Sequence, residues 1–89
     1  LLTGASVEAM VGPGAGATPE SLARKRAVVA AGLAHARAES DPCAAIAAIC
    51  GFEIAALAGC TAEAAKLRLT VVLDGLIVGA AALVAQRLE

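Results

Sequence analysis

Aromatic rings are almost missing from this sequence, which has no tryptophan or tyrosine and a single phenylalanine, Phe52. A groove that stacks nucleobases has nothing to be built from. An excess of one charge is missing too: 7 lysines and arginines stand against 8 aspartates and glutamates, for a net charge near −1. Without a basic field nothing draws in a phosphate backbone, so nucleic acid is not expected as a partner. The longest charge-free run, Gly75 to Gln86, falls short of the ~20 apolar residues that span a bilayer, so no membrane partner is expected. No basic stretch leads into an apolar run near Leu1, which speaks against a secretory signal. Cys43, Cys50 and Cys60 form no Cys-x-x-Cys pair and share the chain with one distant histidine, His35. Buried free thiols in a reducing cytoplasm are expected, with no metal set and no disulfide.

What is abundant is apolar surface. Of 89 residues 60% are hydrophobic, alanine above all, and the mean hydropathy is +0.81. Such a chain can offset its own entropy and should be ordered, yet its length allows one marginal core at most. Since the pattern opens at Leu1 in mid-course, the chain reads as part of a longer protein.

Glycine and proline divide the sequence into elements. A glycine loop is expected over residues 11–17, because Gly12, Gly14 and Gly16 at alternate positions cannot carry a helix onward. Thr18-Pro19-Glu20 then supplies an N-cap, a first-turn proline and an acid at the positive end of the macrodipole. This predicts a helix over residues 19–38 with Leu22, Val29, Leu33 and Ala36 as its apolar stripe. Asp41-Pro42 repeats the signal for a short helix over 42–49, and Gly51, Gly59 and Thr61 divide the next stretch into helices 52–59 and 61–67. The run Leu69-Thr-Val-Val-Leu73 has no polar alternation, so it is read as a strand covered on both faces. A final helix over 76–88 is apolar nearly all round and should be buried. The fold class expected is α/β: a mostly helical fragment of a Rossmann-like parallel sheet, with one strand at 69–73.

Few side chains offer chemistry. A glycine loop ahead of a capped helix can turn backbone amides toward an anion, or it can simply connect two elements. It lacks the Lys-Ser/Thr of a P-loop. Lys25 and Arg26 both flank the apolar stripe, while Arg24 points away; either cation could hold a phosphate or carboxylate, or snorkel to solvent. His35 is read as structural or solvent-facing, and Glu53 is explained by the macrodipole. Asp74 ends the expected strand, where ligands of open parallel sheets bind, but it could equally cap the following helix.

The order of these motifs carries more than any one of them. Thr3-Gly-Ala-Ser-Val-Glu-Ala-Met-Val-Gly-Pro-Gly-Ala-Gly16, Leu22-Ala-Arg-Lys-Arg-Ala-Val-Val29, Asp41-Pro42, Gly51-Phe-Glu-Ile-Ala-Ala-Leu-Ala-Gly59, Val71-Val-Leu-Asp-Gly75 and Ala80-Ala-Ala-Leu-Val-Ala85 follow one another across essentially the whole chain. In this order they closely resemble the nicotinate-nucleotide:dimethylbenzimidazole phosphoribosyltransferase family of cobalamin nucleotide-loop assembly. The resemblance implies transfer of phosphoribose from nicotinate mononucleotide to 5,6-dimethylbenzimidazole, giving nicotinate and α-ribazole phosphate, by a cytoplasmic homodimer that needs no cofactor. It maps substrate binding onto Gly12, Gly14, Gly16 and Lys25, and so favours Lys25 over Arg26; Asp74 joins them as a candidate substrate contact from its place at the end of the expected strand. Departures are Ala15 in place of threonine, Cys50 in place of glycine and Leu76 in place of phenylalanine. The family's Gly-Asn-Thr-Thr segment is expected before Leu1 and its catalytic glutamate after Glu89, so the 89-residue chain is expected to be inactive alone. From the composition itself the rival reading is a non-catalytic, alanine-rich helical module that self-associates.

Overall fold

Side-chain caps start three of the helices in the computed structural model, which describes residues 1–14, 16 and 18–88. Ser6 accepts from the Ala9 amide at 3.2 Å and opens α1, Val7–Met10. Thr18 Oγ1 accepts from the Ser21 amide at 3.1 Å and, with Pro19 in the first turn, opens α2, Pro19–Arg37. Asp41 accepts from the amides of Cys43 and Ala44, each at 3.2 Å, to open α3, Pro42–Ala47. These oxygens satisfy amides that have no partner within their own helix, which is why the starts are locally determined. Gly51 precedes α4, Phe52–Lys66, and α5 covers Gly75–Leu88.

The described residues are two-thirds helical and contain no strand. This corrects the α/β expectation and its Rossmann-like sheet. Residues 69–73 run without regular structure, and among the described residues no second segment pairs with them. β-Branching makes a run suited to a strand, but a strand exists only through hydrogen bonds to a partner. A second correction concerns Gly59, which does not stop a helix: α4 passes through it and Thr61 without a break. The Thr61 hydroxyl donates to the Leu57 carbonyl at 2.8 Å, one turn back, and one interior glycine costs only ~1 kcal/mol against alanine.

The chain divides into two compact units, residues 3–49 and 50–88. In the first, α2 packs against α1 and α3, and the buried residues are Val11, Ala36, Ala45 and Ile46. Of the expected α2 stripe only Ala36 is fully covered; Leu22 and Leu33 are half-buried and Val29 is exposed. In the second unit α4 packs on α5 through Ala58, Ala81, Val84 and Ala85, small residues that let two helix backbones approach closely. Helix α5 is not buried all round, since Leu76 is 81% exposed and Ile77 and Leu83 are also open to solvent.

Helix α4 ends in a Schellman motif. The Leu69 amide donates to the Ala64 carbonyl at 2.8 Å and the Arg68 amide to Ala65 at 3.0 Å, with Arg68 in the left-handed region at φ 57°. Glycine is the usual occupant because it has no Cβ to crowd there. Arg68→Gly should therefore stabilise this unit by about 0.5–1 kcal/mol, the relieved strain less the chain entropy that glycine adds. A thermal midpoint unchanged or lowered by that substitution would show the turn to be unstrained.

Candidate functional site

The glycine loop leads into α2 within the first unit. Gly14 and Gly16 take positive φ of 62° and 73°, a conformation that makes glycine the fitting residue at both places. Ala15 and Ala17, also assigned to this loop, lie outside the described residues. Two turns into α2, the Lys25 side chain returns toward the loop and its Nζ donates to the Gly12 carbonyl at 3.3 Å. A Cβ placed on Gly14 would stand 3.8 Å from the same Nζ. The ammonium thus lies over the loop, exposed, with one of its three N–H donors on a carbonyl and two left for another acceptor.

Arg26 behaves differently. It is half-buried, and its Nε is covered without a hydrogen-bond partner. The two neighbouring cations that the helical pattern left equivalent are therefore separated by position: Lys25 reaches the loop and Arg26 packs. The same unit holds an open apolar groove of about 460 Å³, lined by Val7, Met10, Val28, Val29, Leu33 and Ile49 among others. With no titratable side chain in its lining, that groove can accept apolar surface but moves no proton.

Asp74 belongs to the second unit, exposed and directly ahead of α5. Glu53 stands in the first turn of α4, as expected of an acid at a helix start. Beside it, the Cys50 thiol is pushed above its ordinary pKa, first by burial and then by the Glu53 carboxylate, so it stays protonated at neutral pH and is a poor nucleophile. All three cysteines are free, but Cys43 and Cys60 are exposed and Cys50 only partly covered, which corrects the expectation of buried thiols. Where interiors are built from alanine, a thiol finds little cover. Among the described residues no cluster of histidine, cysteine or carboxylate has the geometry of a metal site, and His35 is exposed. Likewise, no described helix is long and apolar enough to cross a membrane. The short helix α1 escaped sequence reading, although Ser6 followed by Glu8 carries the cap-and-acid signal that could have found it.

A glycine loop under a lysine, ahead of a capped helix, is the arrangement that the first unit presents. The chain belongs to the phosphoribosyltransferase family, whose model, described as Phosphoribosyltransferase, matches residues 1–89. Curated relatives carry the name nicotinate-nucleotide--dimethylbenzimidazole phosphoribosyltransferase. That of Variovorax paradoxus (strain S110) is 46% identical over 88 residues, covering 99% of this chain and 25% of the relative. That of Ralstonia nicotianae (strain ATCC BAA-1114 / GMI1000) is 54% identical over 78 residues, 86% of this chain and 22% of the relative. That of Acetivibrio thermocellus is 41% identical over 90 residues, 100% of this chain and 26% of the relative. The chain accordingly spans about a quarter of the length of the curated relatives it matches. No solved structure matches it.

Proposed function

We propose that this chain is the glycine-loop segment of an enzyme that moves phosphoribose from nicotinate mononucleotide to 5,6-dimethylbenzimidazole, releasing nicotinate and forming α-ribazole phosphate. The observation that carries the reading is the Lys25 ammonium held over the loop by the Gly12 carbonyl, in a chain whose relatives bear that enzyme's name. A nucleotide phosphate brings negative charge, and this site offers one cation and a backbone that glycine keeps free of side chains. Gly12, Gly14, Gly16 and Lys25, all in the first unit, are the proposed contacts. The catalytic base lies outside this segment, and the segment alone is inactive.

In the intact protein, whose family resemblance implies a cytoplasmic homodimer, the segment is covered by other parts of its polypeptide or by a second copy. Its exposed apolar residues support this, with Phe52 95%, Val72 85% and Leu76 81% accessible.

Two alanine variants of the intact protein test the site. At Gly12 the φ is not left-handed and a Cβ meets open space, so Gly12→Ala should fold normally and weaken nicotinate mononucleotide binding only where substrate approaches the backbone. Gly14→Ala should add a strain of about 1–3 kcal/mol and displace the loop, weakening binding further. Calorimetric titration with nicotinate mononucleotide reads both. Unchanged affinity in both variants would remove the loop from the site.

A further inference from the structure

We propose that Lys25 is a positioning residue for the glycine loop before any substrate arrives, so that one ammonium both shapes the anion site and occupies it. The inference rests on the reading above that the loop receives the nucleotide and starts from the same bond, taken now for what it does to the backbone. The Lys25 Nζ donates to the Gly12 carbonyl at 3.3 Å and so ties the loop to α2. The carbonyl it holds belongs to the peptide joining Gly12 to Pro13. That peptide is planar, and the proline ring fixes the next φ near −65°. Fixing the plane therefore leaves the Pro13 ψ as the one soft dihedral before Gly14, the first loop residue with positive φ. The ammonium also lies within 3.8 Å of the place a Gly14 Cβ would take, so it spans both sides of Pro13. Alternate glycines make this the segment with the most backbone freedom to lose, and the tether crosses 13 residues to reach it from a rigid helix. Two N–H donors remain for an arriving anion, which then binds a loop already in place.

The test uses the intact protein labelled with ¹⁵N-glycine, free of ligand, with backbone order parameters measured at Gly12 and Gly14. Lys25 is exposed and methionine favours helix, so Lys25→Met folds. In that variant the two values should fall from near 0.85 to below about 0.6. Lys25→Arg, which can reach the same carbonyl, should restore them. Order unchanged in Lys25→Met overturns the proposal, as does a loop still loose in Lys25→Arg. Adding nicotinate mononucleotide separates this from the functional reading: a loop that loosens in Lys25→Met but never responds to the nucleotide in the parent protein supports the positioning role and contradicts the binding site.

Discussion

Lys25→Ala is expected to lower kcat/KM of the intact enzyme by about ten- to a hundredfold, while Arg26→Ala lowers it far less. A charge-assisted hydrogen bond to a substrate anion is worth roughly 1.5–3 kcal/mol, and each 1.4 kcal/mol is about tenfold. Exposed pairs on a protein surface contribute much less; the larger figure is the one expected of the proposed complex, in which bound substrate covers the ammonium. The structure makes the two variants a matched pair with opposite expectations. Lys25 is exposed and reaches the Gly12 carbonyl, so its loss costs little stability. Arg26 is half-buried with its Nε covered, so Arg26→Ala should act on the thermal midpoint instead. Kinetics and melting measured together distinguish the two. Equal loss of activity in both variants, or a Lys25→Ala that loses only stability, would refute the role given to Lys25.

Helix starts were legible in the sequence because they are decided within four residues. Thr18 and Asp41 hold amides two and three residues on, and nothing distant can change that. Helix ends were less so. Gly59 looked like a stop and is an interior residue, whereas the true end of α4 uses Arg68 in a conformation that arginine gives no sign of adopting. The run at 69–73 misled for another reason. Valine and leucine report what a backbone could pair with, but pairing is a property of two segments, and among the described residues there is only one. The candidate site lies between these cases. Helical periodicity placed both Lys25 and Arg26 beside the apolar stripe and could go no further, since the choice between them depends on where a loop 13 residues earlier turns its carbonyl. Family resemblance chose Lys25, and the bond to Gly12 shows only where that side chain lies.

The proposed reaction exchanges two bonds at one ribose carbon. The bond from C1′ to the nicotinate ring nitrogen breaks, its electron pair leaving with nicotinate, and a bond from C1′ to an azole nitrogen of dimethylbenzimidazole forms. The proton on that azole must pass to a base, and a positioned general base contributes a factor of ~10²–10⁴. The base is placed outside this segment, so the isolated chain is expected to release no product. The most direct measurement incubates the intact polypeptide and the isolated 89-residue segment side by side with nicotinate mononucleotide and dimethylbenzimidazole, quantifying products by mass. Nicotinate and α-ribazole phosphate in equal amounts from the intact protein, and neither above blank from the segment, is the result predicted; no transfer by the intact protein, or turnover by the segment alone, would contradict it.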